Sequence, residues 1–316
     1  MLSSDFLLKG VAAPALAAFV ATLVLFRLFA GRRASGAVAF AVALTLGTVL
    51  THSSGASWFP SRNLHWVPWV AVLSAIVSPI VVAGGLAGIE RWLLAALATL
   101  GAAALLVPDW PELSPSRPVS ITGFVLAMTV IARGLDGVAR RLPPRLVVIA
   151  MWGTSLAAAG AIAIAFSLKI GESELMTSAS LFGVTAAILI RPDEMAVRGL
   201  ALTFALAVGG WCYVVAVEPA PPTPPIWALL PISAAPLVLW MTAIGPLARK
   251  GAAVRWVVST VLVVGVLGAL VAWAHFSTED GGESSDYGGP ETASNRLNFL
   301  FPEISVATSH EVASRS

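Results

Sequence analysis

A chain of 316 residues that is 57% hydrophobic and only 11% charged is no ordinary soluble domain, where about a quarter of residues carry charge. Its mean hydropathy of +0.86 points to a polytopic membrane protein. The net charge of +2 is scattered over short links and offers no surface for nucleic acid, while the lone Cys212 excludes intrachain disulfides and thiolate metal clusters.

A membrane-spanning helix needs about 20 mainly apolar residues. The run 11–30 meets this, with Lys9 before it and Arg27, Arg32 and Arg33 near or after its end. A secretory signal carries its positive charge before the apolar stretch, so this run reads as a retained first helix. A tight Gly-Arg-Arg link leads to 34–50. The polar loop 52–69 follows, holding His52, Trp58, His65, Trp66 and Trp69 and overlapping the start of the next span. Then come 67–89, which contains Pro79, and 92–107. The link 108–118 is too rich in proline to continue a helix. The spans 119–132, 146–170, 175–190 and 200–217 come next, with 171–174 read as a loop carrying Glu172 and Glu174. The connector 218–225 has a stiff polyproline character. The spans 226–247, containing Pro231 and Pro236, and 254–274 close the series. The expectation is an all-α, polytopic transmembrane helix bundle of about ten spans in five hairpins over residues 1–276, followed by a disordered acidic tail over 277–316.

Loops with excess Lys and Arg stay in the cytoplasm. Thirteen of the nineteen basic residues fall in the links after odd-numbered spans, and no link on the other side holds more than one. That distribution places the protein in the cell (inner) membrane with both termini outside. The outer face then gathers His52, Trp58, His65, Trp66, Trp69, Asp109 and Trp110. Tryptophan at this level is the ordinary interfacial anchor, and an aromatic outer mouth for a ligand is the sharper reading. No metal-ligand spacing, nucleophile elbow or phosphate-cradling loop occurs, so no cofactor and no catalytic residue are expected.

The interior is expected to lack ionisable groups near the middle of any span, which argues against proton-driven transport. It does have prolines that free backbone carbonyls. The expected ligand path is Ser74, Ser78 and Pro79 on one span with Ser233 and Pro236 on another. Kinks that merely pack are the plainer alternative.

The segment Ile89-Glu-Arg-Trp92 and the helix after it resembles the Gly-Glu-Arg-Leu turn of drug/metabolite transporters. The glycine before the glutamate is absent here, so no binding residue is carried across and no membership is assigned. The expected function is a small-solute permease for a neutral or zwitterionic solute. A structural or assembly subunit, contacting a protein partner through 297–302, is the alternative, with an outer-face enzyme behind both. The lipid bilayer is the one partner implied throughout.

Overall fold

The computed structural model describes residues 3–28, 35–52, 63–82, 86, 88–110, 113, 116–165, 167–217, 226–244, 247 and 249–279. The chain divides into Met1–Thr278 and Glu279–Ser316. The second unit, apart from Glu279, lies outside the described residues, and with it the expected tail and its 297–302 patch.

Every described element is a helix. Helix α1 is made of Ser4–Phe6, a π-type stretch Leu7–Ala12, and Ala13–Leu28. Ser3 caps it, its hydroxyl accepting from the Phe6 amide at 3.1 Å, which satisfies one of the free N–H groups at a helix start. Helix α2 is Ser35–His52, and α3 is Val67–Val81, entered through a 3-10 turn Asn63–Trp66. Then come α4 (Gly88–Leu106), α5 (Arg117–Ala139), α6 (Pro144–Ala165), α7 (Leu168–Ile190) and α8 (Glu194–Val217). Helix α9 runs over 226–243 and changes winding at Pro236, with Ile226–Ala234 and Trp240–Ala243 flanking the 3-10 stretch Ala235–Leu239. Helix α10 is Ala252–Glu279. Eight of these helices are long and apolar enough to cross a membrane; Ser35–Thr51 and Leu229–Ala243 are shorter apolar helices.

Helix α8 is the hub. Of its most apolar window 89% is buried, against 22% for α1 and 17% for α10. Around it stand α2, α3, α5, α6 and α9, while α1 and α7 pack together and against α2 and α6. A helix apolar on all sides belongs in the centre of a bundle, whereas α1 and α10 stand at its edge.

Small residues set the closest approaches. A side chain at Gly36 would meet the Ala196 carbonyl at 2.7 Å, and one at Gly47 would meet Pro14 at 2.6 Å. Gly171 lies against Ala163, and Gly183 against the backbone of α1 at Ala15 and Phe19. Lacking a side chain, glycine lets helix backbones come within reach of dispersion forces, the main attraction where water is absent.

Several expected boundaries move. The third span ends at Val81 rather than 89, which puts Pro79 in the last turn of α3 instead of mid-span. Glu90 and Arg91 belong to the first turn of α4. The expected loop at 171–174 lies inside α7, so Glu174 is a helix residue.

Candidate functional site

The described groups with most chemistry in them are two buried carboxyls, neither of which hydropathy marks as interior. The first is Asp136, near the end of α5. Its side chain is 4% exposed and takes three guanidinium groups: Arg133 at 2.8 Å and Arg140 at 2.6 Å on Oδ2, and Arg198 of α8 at 2.7 Å on Oδ1. Arg198 also reaches Glu194 at 3.4 Å. Positions 133, 136 and 140 share one face of a helix because 3.6 residues make a turn, and Arg198 comes from across the interface. Charge-assisted pairs of this length are the strong class of hydrogen bond.

Tryptophans flank the knot. The Arg133 guanidinium lies 5.6 Å from the Trp92 ring centroid, and Arg141 lies 4.8 Å from that of Trp240. The Trp240 indole donates to the Gly134 carbonyl at 3.1 Å. Starts of α4 and α8, the end of α5 and the end of α9 therefore meet at one end of the bundle, and the Gly36–Ala196 approach brings the start of α2 there too. Beside the knot is a space of about 10 Å³ lined by Ser78, Arg133, Asp136 and Arg198 among others, about enough for one water molecule.

The second carboxyl is Glu174, on α7. It is fully buried and lies about 9 Å along the axis from the helix start, at 1.5 Å per residue. Oε1 accepts from the Ser155 hydroxyl of α6 at 2.8 Å, and Oε2 has no hydrogen-bond partner. Thr177, one turn on, and Cys212 of α8 lie beside it. The Trp211 indole donates to Thr177 Oγ1 at 3.0 Å. Thr154, beside Ser155 in sequence but about 100° around α6 from it, is buried with no partner for its hydroxyl. The loop reading of 171–174 is corrected here: Glu174 reads as loop by hydropathy because two acids and a serine interrupt the apolar run, but it lies in the second turn of α7, where α6 supplies a hydroxyl to it.

The residues expected to form a ligand path are all placed, but apart. Ser78 is buried with its oxygen 3.4 Å from Thr203 Oγ1 of α8. Ser74 donates to the Ala71 carbonyl at 2.8 Å and Ser233 to the Leu230 carbonyl at 2.7 Å. Pro79 is half-buried and Pro236 is buried. Ser233 lies beside Gly209. Positions 203 and 209 are six residues apart, or about 120° around a helix. Thus α3 and α9 sit on different faces of α8, and the hub separates the two serines.

Of the expected outer mouth, Trp58 and the side chain of His52 lie outside the described residues. His65 and Trp66 are half-buried in the 3-10 turn before α3. Trp69 is 43% and Trp110 37% exposed, the posture of interfacial anchors. Asp109 is exposed and pairs with Arg117 at 3.3 Å, an exposed pair of the kind that contributes about 0–1 kcal/mol. Among the described residues no group of three His, Cys, Asp or Glu side chains could hold a metal ion.

Comparison of the chain with known protein families, with curated proteins and with solved structures finds no match.

Proposed function

We propose that the chain threads a membrane ten times and acts as a small-solute permease whose path runs between α6, α7 and α8 rather than along α3 and α9. One observation carries this reading: the fully buried Glu174, with an unpartnered oxygen. Serine and threonine inside a bundle bond back to their own helix or glue neighbours together, as Thr22 does to the Ala18 carbonyl at 2.7 Å. Packing has no use for a carboxyl whose second oxygen is left bare, and ionisable groups at such a place mark substrate or ion pathways. Once α6 and α7 part, a solute with an ammonium group, as a zwitterion has, would suit that oxygen and the hydroxyl of Ser155.

In support of ten spans, the links that carry Arg91, Arg133, Arg140 and Arg198 all come to the same end of the bundle, as the threading with α5 crossing requires. Helix α5 has 23 residues, about 34 Å of helix for a hydrocarbon core of about 30 Å. Reporter fusions after Arg141 and Lys250 should report cytoplasm, and fusions after Ser61, Ser173 and Thr223 the exterior. Cytoplasmic signal at both 173 and 223 would mean that α5 does not cross.

The path itself is tested by thiol chemistry. With Cys212→Ala as background, cysteines at Thr154 and Ser155 should react with a small water-soluble thiol reagent faster than one at the lipid-facing Val261. Reaction at Ser78 and Ser233 instead would restore the α3/α9 route. Should all four be as inert as 261, the assembly-subunit reading goes ahead; the observation in its favour is the largely unburied apolar surface of α10.

A further inference from the structure

Glu174 poses a problem of charge that the bundle must solve. A carboxylate taken out of water costs several kcal/mol unless a cation or several donors meet it. Here one donor, Ser155 Oγ, meets Oε1 at 2.8 Å, and Oε2 meets none. The described neighbours are hydroxyls, an indole already bonded to Thr177, the Cys212 thiol and apolar side chains. Cys212 and Glu174 are the titratable groups of this cluster, both fully buried, and neither supplies positive charge. The nearby packing is tight as well: a side chain at Gly171, one turn earlier on α7, would meet Ala163 of α6 at 2.6 Å. A metal ion needs several oxygen ligands and space between them. A proton needs one oxygen and no space.

We propose that Glu174 is a proton-exchange site: Oε2 binds a proton while α6 and α7 are closed and releases it to water at the near end of α7 when they part. The proposal rests on the permease reading and deepens it by naming the coupling ion, where the sequence argued against proton-driven transport. The step is a bare proton transfer, carboxylate plus proton to carboxylic acid, and needs no further reactant. The route out is short. Glu174 lies about 9 Å from the helix start, and the residues between are 168–173, with Lys169 and Glu172 as the charged ones among them.

The test is infrared difference spectroscopy on the purified protein in lipid, which reads the carbonyl stretch of a protonated carboxylic acid and needs no solute. The expected result is a band that rises and falls with pH, shifts in D₂O, and is lost in Glu174→Gln. Ser155→Ala should move the band without removing it, because the hydrogen bond to Oε1 is lost, and this keeps the assignment secure if Glu174→Gln folds poorly. A band indifferent to pH and D₂O would show a sealed structural acid and overturn the proposal. A carboxylate signature with no such band at any pH at which the protein stays folded would overturn it equally. The readout is independent of the thiol test: reactive cysteines with no titrating band leave a permease without proton coupling, and a titrating band with inert cysteines leaves a proton site without a solute path.

Discussion

Replacing Asp136 by alanine should lower the unfolding free energy of the bundle by about 3–5 kcal/mol, the usual cost of removing one partner from a buried ion pair. The reason lies in what is left behind. Arg133 and Arg198 have side chains only 11% and 12% exposed, and without Asp136 their guanidinium groups repel each other across the α5–α8 interface. Arg198 retains Glu194 at 3.4 Å, but that carboxyl is 48% exposed and screens poorly for a buried charge. Glu194→Ala alone should therefore cost no more than about 1 kcal/mol, as exposed pairs do. A double variant, Asp136→Ala with Arg198→Met, should recover part of the loss, because it removes a stranded charge together with its partner. Unfolding in a titration of denaturing detergent would measure all four proteins. Equal stability of Asp136→Ala and the parent would mean that the knot adds nothing beyond apolar packing.

The second large effect is steric. A side chain at Gly183 has no room: it would collide with the Ala15 carbonyl, with Ala18 Cβ at 2.7 Å and with the Phe19 amide nitrogen at 2.9 Å. Two of these are backbone atoms, which cannot rotate away, so α1 as a whole must shift. Gly183→Val should cost at least the about 1–3 kcal/mol typical of overpacking, and α1 should become more open to proteolysis from its N-terminal end. Gly123→Val in α5 is the matched control, since nothing lies within 4 Å of a side chain there. A loss of stability at 123 as large as at 183 would point to helix propensity in place of the α1–α7 contact.

The helical, membrane-compatible character of the chain was legible because hydropathy reports it directly. The helix ends were less so, and several misses share one cause. Hydropathy closes a run at the first charge, at Arg133, at Glu174 and before Arg198, although all three residues lie inside helices. The pattern that could have extended α5 is in the sequence: Arg133, Asp136 and Arg140 stand three and four residues apart, the spacing of partners on one helix face. Glu174 and Thr177 show the same offset. What no spacing could reveal is that Ser155 and Arg198 reach these groups from other helices, since a hydrogen bond across 19 or 62 positions leaves no periodic trace. Pro79 erred the other way. A proline inside an apolar run looks central, but α3 ends two residues later, so its missing N–H interrupts only the last turn.

The burial of α8 also bears on how the protein is made. Membrane chains emerge N-terminal end first, and the helix that five others lean on is the eighth of ten. Until it arrives, Met128 has no Gly209 to rest on, Ser78 lacks Thr203, and the carboxyl of Asp136 lacks the guanidinium of Arg198. A chain that stops before residue 194 leaves the seven preceding helices without the one they pack on, and bares the apolar faces of Phe124 and Met128 together with Ser78 and Asp136, a form that quality control should distinguish from the finished bundle.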